Sequence, residues 1–125
     1  MSEITIKKNS LTYALAGKTY EYIYSSGMSV CLSFTKEKAN WKILAGTAKG
    51  ASGSNDYLAR LVADDTYFIQ WNEPEEKITV TLLINEKTKK IYGSAVYPEE
   101  VEFDVANIHK SHSISSHQYA VFPVN

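Results

Sequence analysis

Only one cysteine, Cys31, occurs in 125 residues, so an internal disulfide framework is excluded and a reducing, cytoplasmic setting is expected. Basic charge is not in excess. Thirteen Lys and Arg stand against 14 Asp and Glu, and the positive footprint that nucleic acid or an anionic lipid surface demands is missing. No apolar run approaches the roughly 20 residues that span a bilayer, and the N-terminus has no signal-peptide core. Neither a nucleic acid nor a membrane is therefore an expected partner. No segment carries a helical period. G-x-S-x-G, P-loop and dinucleotide fingerprints are missing, and Gly46, Gly50 and Gly53 sit in a run without the following helix that phosphate cradling needs. Cys31 has no C-x-x-C partner. His109, His112 and His117 are separated by serines across an apparent loop, a spacing that reads as a solvated connection, so no metal site is expected.

Tyrosine, by contrast, is abundant: nine residues against four phenylalanines. Its apolar body and polar tip suit β surfaces and the walls of pockets for polar aromatic ligands. Period-two alternation recurs along the chain, with turn signals about every 8–12 residues. Lys18–Tyr24 puts Tyr20, Tyr22 and Tyr24 on one face. Ser25-Ser26-Gly27 is a tight-turn signal, and Met28–Phe34 completes a hairpin. Ala39–Ala45, Asp56–Ala63, Thr66–Asn72, Lys77–Ile84, Lys90–Tyr97 and Val101–Ile108 read as further strands, and Gln118–Val124 as a closing one. Leu11, Tyr13 and Leu15 fit a short strand or a turn of helix. Gly46–Ser54 has no large apolar side chain and reads as the longest loop, while Gly93 implies a bulge or a close backbone approach. The pattern is that of one all-β domain over 1–125, an antiparallel barrel or sandwich. An up-and-down barrel of about eight strands has no edges and has room for one small ligand.

Two features bear on chemistry. Tyr22 and Tyr24 lie about 7 Å apart along one strand face, close enough for both phenols to donate to one oxyanion. Strand preference alone would also place tyrosines there. Glu73 ends the segment Thr66-Tyr-Phe-Ile-Gln-Trp-Asn-Glu73 on the same face as Tyr67, Ile69 and Trp71. It is either a rim carboxylate beside Pro74 or a group pointing into a pocket, where it would suit proton transfer.

Taken together, Gly17-x4-Tyr22-x-Tyr24-x2-Gly27, Trp71-x-Glu73-Pro74 and Tyr92-Gly93-x3-Tyr97-Pro98-x2-Val101 resemble, in order and spacing, the phenolic acid decarboxylases. The wider group similar to the molybdenum-cofactor biosynthesis protein F (MoaF) shares the pattern. The likeness runs from Gly17 to Val101 and implies a lipocalin-like (calycin) barrel. It also implies a homodimer, a cofactor-free mechanism and a small phenolic or aromatic partner. By it, Tyr22 and Tyr24 match the tyrosine pair that holds a polar end of the substrate, and Glu73 matches the proton-handling glutamate. Tyr20 and Trp71 would supply stacking surface. Tyr92 stands where the family has histidine. The family's arginine position is Ala51, and Lys49 and Arg60, the nearest cations, are with Tyr92 expected among the ligand-binding residues. A lysine lacks the bidentate fork of arginine, so p-coumarate is expected to be turned over poorly or not at all. The expected function is acid/base chemistry of decarboxylase, isomerase or cyclase type on an aromatic substrate, the alternative being a carrier or sensor of such a ligand.

Overall fold

The computed structural model describes residues 11–114. Eight strands, β1 (Lys18–Tyr24), β2 (Ser29–Phe34), β3 (Lys38–Ala45), β4 (Ser52–Ala63), β5 (Thr66–Glu73), β6 (Ile78–Asn85), β7 (Lys90–Val96) and β8 (Val101–Ser113), form a closed barrel in chain order. Each strand pairs antiparallel with the next, and β1 pairs with β8 to complete the ring. The expected strand at Gln118–Val124 and the residue His117 lie outside the described residues. Among those described there is no helix, hence none long and apolar enough to cross a membrane.

The alternation read from the sequence decides which side chains fill the barrel. Tyr20, Tyr22, Val30, Leu32, Phe34, Tyr57, Tyr67, Ile69, Trp71, Leu82, Ile84 and Ile91 are all buried in one core. Closure bends the sheet, and three register shifts help it do so. They lie between Glu21 and Tyr22 on β1, Ser29 and Val30 on β2, and Leu61 and Ala63 on β4. A bulge adds twist where one residue goes unpaired. The hairpins β1–β2, β3–β4, β5–β6 and β7–β8 all turn at one end of the barrel, called the open end here.

The opposite end is covered by the segment before β1. Thr12 N–H bonds Ala59 carbonyl on β4, and Gly17 N–H bonds Phe34 carbonyl on β2. The segment thus crosses the barrel end with Leu15 fully buried beneath it. It is irregular, with a turn over 14–17 rather than the strand or helical turn expected. Lys18 Nζ pairs with Glu86 Oε2 at 2.9 Å, and the Tyr20 hydroxyl donates to the same oxygen. Phe34 meets Tyr57 at a ring-centroid distance of 4.8 Å, and Tyr20 meets Phe34 edge-on.

Two expected boundaries are corrected. The glycine-rich loop is shorter than Gly46–Ser54, because β4 already starts at Ser52. Gly53 pairs with Trp41, and a Cβ on Gly53 would sit 2.4 Å from Trp41 Cζ2. A segment without large side chains is therefore strand, because the indole of β3 lies over it. Strand β8 runs to Ser113, past the expected end at Ile108. His109 and His112 are thus on a strand and exposed, not in a loop. His109 is the extra residue at the β1–β8 register shift.

Candidate functional site

The inward faces of β1, β5 and β8 converge on chemistry at the open end. On β5, Trp71 and Glu73 are two residues apart and share a face. Trp71 is buried, and its Nε1–H donates to Glu73 Oε2 at 2.9 Å. The indole fixes one carboxylate oxygen, and the Glu73 side chain keeps partial contact with solvent.

On β1, the Tyr22 and Tyr24 rings stand edge to face, 5.6 Å between centroids and 82° between planes. The two hydroxyls are near enough for each phenol to influence the other's ionisation. Burial pushes the Tyr22 phenol well above its ordinary range, with Tyr24 adding to it. Tyr24 is pushed up to about 12, first by burial and then by Asp104 and Glu102. Both phenols stay protonated at neutral pH and act as hydrogen-bond donors, not bases.

Strand β8 reverses the usual arrangement of an amphipathic strand. Val101, Phe103 and Val105 face outward and are exposed. The alternate residues Glu102 and Asp104 take the inward side, in register with Ala95 and Gly93 of β7. Ser25 Oγ–H bonds both oxygens of Asp104, at 2.7 and 2.9 Å. Together with Val105 N–H, these bonds hold the Asp104 carboxyl below its usual value. Tyr97 donates to Glu102 Oε1 at 2.8 Å and lies within electrostatic reach of Glu73. Its phenol is raised by burial first, then by Glu102 and Glu73.

Gly93 makes room for this cluster. It keeps regular pairing with Leu82 and Asp104, so it is not a bulge. A Cβ built on it would lie 2.5 Å from the Tyr24 hydroxyl and 3.2 Å from Leu82 Cδ2. The close approach expected of this glycine is thus made by a phenol. Gly93→Ala is expected to displace the Tyr24 ring and cost about 1–2 kcal/mol of stability. Denaturant unfolding, with a shifted Tyr24 ring resonance by NMR, checks this.

Tyr22, Tyr24, Trp71 and Glu73 therefore all face the barrel interior. Tyr20 also faces inward, but at the covered end, where Glu86 holds its hydroxyl. It does not join Trp71 as expected. Arg60 and Tyr92 project from the outer face, opposite Phe68 and Leu83 respectively, because strand alternation sends them away from their buried neighbours Ala59 and Ile91. The expectation that Arg60 and Tyr92 bind the ligand is corrected, because both are exposed on the outer face. Lys49 is exposed in the β3–β4 connection at the open end. The sequence assigns no site role to Tyr97, Glu102 or Asp104. The signal for Glu102 and Asp104 is the alternation in β8, whose inward face the sequence alone leaves open; Tyr97 lies in the turn before that strand. Among the described residues no cluster of His, Cys, Asp and Glu is arranged to hold a metal ion.

An eight-stranded, edgeless barrel with one covered end and a polar aromatic cluster at the other defines a lipocalin-like class of protein. Residues 6–95 match the family model of the MoaF N-terminal domain, and the chain belongs to that family. A solved structure from Burkholderia vietnamiensis, provisionally named a beta-lactamase, shares the fold. The TM-score is 0.70 at 21% identity, over 80% of this chain and 95% of that one. No curated protein matches the chain.

Proposed function

We propose that the barrel binds a small aromatic molecule at its open end and carries out cofactor-independent acid/base chemistry on it through Glu73. The observation that carries this reading is the inward Trp71 Nε1–H to Glu73 bond. It leaves the second carboxylate oxygen available to a proton on a neighbouring ligand, and a catalytic base must first be in reach of its proton. Tyr24 and Tyr22 supply hydrogen-bond donors, and Trp71 and Tyr24 supply aromatic surface. A decarboxylase, isomerase or cyclase reaction of a phenolic substrate fits those parts.

The cluster also constrains the ligand's charge. Glu73, Glu102 and Asp104 face the same end, and Ala51 stands where the decarboxylases carry arginine. A carboxylate seated there would meet like charge without a guanidinium to offset it, a deficit of about 1.5–3 kcal/mol. Neutral phenols and aromatic amines are expected to raise the melting temperature more than aromatic acids of the same shape.

Glu73→Gln keeps the shape and the Trp71 contact while removing the proton acceptor. It is expected to lower turnover by about 10²–10⁴-fold and to retain the ligand-induced thermal shift. Saturable binding with no turnover of any tested phenol by the unsubstituted protein would support a carrier instead. Brisk release of vinylphenol from p-coumarate would show that the acidic cluster does not discriminate as argued.

A further inference from the structure

Tyr97 is the first residue past β7, and Pro98 after it restricts its backbone to extended conformations. Its N–H bonds the Glu100 carbonyl at 2.8 Å, closing the connection to β8. Its half-buried phenol turns back to Glu102 Oε1. Register shows where that contact lies. Trp71 pairs with Val80, Val80 with Ala95 and Ala95 with Glu102, and residues directly opposite in antiparallel strands share a face. Glu102 therefore stands on the inward row that starts at Trp71. Tyr97 reaches the site from the rim of the open end, within electrostatic reach of Glu73.

Donors and acceptors around this row are unequally shared. Trp71 Nε1–H is spent on Glu73, Tyr97 O–H on Glu102 and Ser25 Oγ–H on Asp104. The Tyr97 proton is held by burial first and then by Glu102 and Glu73, so the phenol stays protonated at neutral pH. Tyr97, Glu102 and Glu73 therefore turn lone pairs towards a ligand: a phenol oxygen whose one proton is committed, and a second oxygen on each carboxylate. Deeper in, the polarity changes. The Tyr24 hydroxyl lies over Gly93, two residues further from the open end along β7 than Ala95, about 7 Å at the rise of a strand. There it can donate to a ring oxygen. A ligand that satisfies both levels carries a ring hydroxyl at one end and a group rich in N–H at the other. Trp71 and Tyr24 set rings beside the acceptors, and an ammonium is attracted to aromatic faces.

We propose, resting on the reading of the open end as a ligand site, that Tyr97 and Glu102 determine its specificity and select a phenol that also carries a protonated amine. Titrations of the full chain at neutral pH and low salt, followed at the Trp71 indole N–H resonance, compare tyramine, p-ethylphenol and p-hydroxyphenylacetate. These phenols are alike in shape and differ in carrying an ammonium, no charge or a carboxylate. Tyramine is expected to bind about tenfold tighter than p-ethylphenol, and the acid to bind weakest. Tyr97→Phe removes an acceptor and the bond that orients Glu102, and Glu102→Gln removes the charge. Each brings the affinity ratio of tyramine to p-ethylphenol below about threefold, with an unchanged β-sheet circular dichroism spectrum. Glu99→Gln, which removes an exposed carboxylate from the same connection, leaves the ratio intact. A ratio near one in the unsubstituted protein, or one indifferent to Tyr97→Phe and Glu102→Gln, overturns this proposal and leaves the open-end site standing. If none of the three phenols moves the Trp71 resonance, that site fails with it.

Discussion

Above about pH 10 the barrel is expected to lose stability with every further step in pH and to unfold cooperatively in the alkaline range. Burial pushes the phenols of Tyr20, Tyr22, Tyr24 and Tyr57 above the ordinary value of 10.0. Tyr20 is raised further by its bond to Glu86. In the unfolded chain the same phenols ionise near that ordinary value. Between the two values the unfolded state holds fewer protons than the folded state, so stability falls as pH rises. The contribution is complete below about pH 10. It is lost as pH passes the folded values, about 12 for Tyr24 and Tyr57 and higher for the other two. One unit of difference amounts to about 1.4 kcal/mol per tyrosine. Four such groups over one unit come to about 5–6 kcal/mol, comparable with the whole stability of a small domain at about 5–15 kcal/mol. Tyrosinate absorbance recorded beside far-ultraviolet circular dichroism tests this. A second wave of ionisation should coincide with loss of sheet signal. Smooth ionisation of every tyrosine near pH 10 in an intact barrel would contradict the burial of these rings.

Gly53→Ala is expected to be among the most destabilising single-methyl additions in the protein. The added Cβ would stand 2.4 Å from Trp41 Cζ2 and 2.7 Å from Cε2. These atoms belong to a rigid bicycle, not to the tip of a flexible chain, so the whole indole must turn. Turning it also breaks the Trp41 Nε1–H bond to Asn55 Oδ1, now 3.0 Å. Overpacking of this kind costs about 1–3 kcal/mol, and the lost hydrogen bond adds about 1 kcal/mol. Urea unfolding monitored by tryptophan fluorescence measures the loss. Trp41→Phe in the Gly53→Ala background should recover part of it, because the smaller ring vacates the contested space. No recovery would mean that backbone strain, rather than the indole, sets the cost.

The barrel was legible because its inward and outward residues alternate with a period that belongs to strands alone. Tyr20, Tyr22 and Tyr24, and likewise Ile69 and Trp71, announce a buried face without reference to any other part of the chain. Trp71 and Glu73 were legible as a pair for the same reason. Composition misled at Ser52–Ser54, where small residues mark a strand beneath an indole contributed by β3. No local pattern records which distant side chain fills a gap. The sequence also left open which face of β8 turns inward. Burial of Ala106 and Ile108 further along the strand fixes that phase, and it puts Glu102 and Asp104 on the inward-facing side at the open rim, where Glu102 is exposed and Asp104 half-buried. Arg60 and Tyr92 were assigned to the site by resemblance, but each alternates against a buried neighbour, Ala59 and Ile91, and so faces out. Tyr20 faces the right way at the wrong end, a distinction that depends on strand direction around the ring.

The seam between β1 and β8 also bears on how the chain folds. Every other pairing joins strands adjacent in sequence across a short turn, whereas Thr19 meets His112 across the whole barrel. Closing a loop of roughly 90 residues carries an entropic penalty that grows as the logarithm of its length, and none of it is recovered until the last register is set. The hairpins can therefore form early and independently, while joining the first strand to the last limits the rate. Substitutions at Ile108, which pairs with Tyr22 across the seam, are expected to slow refolding. Equally disruptive ones within the β5–β6 hairpin are expected mainly to accelerate unfolding.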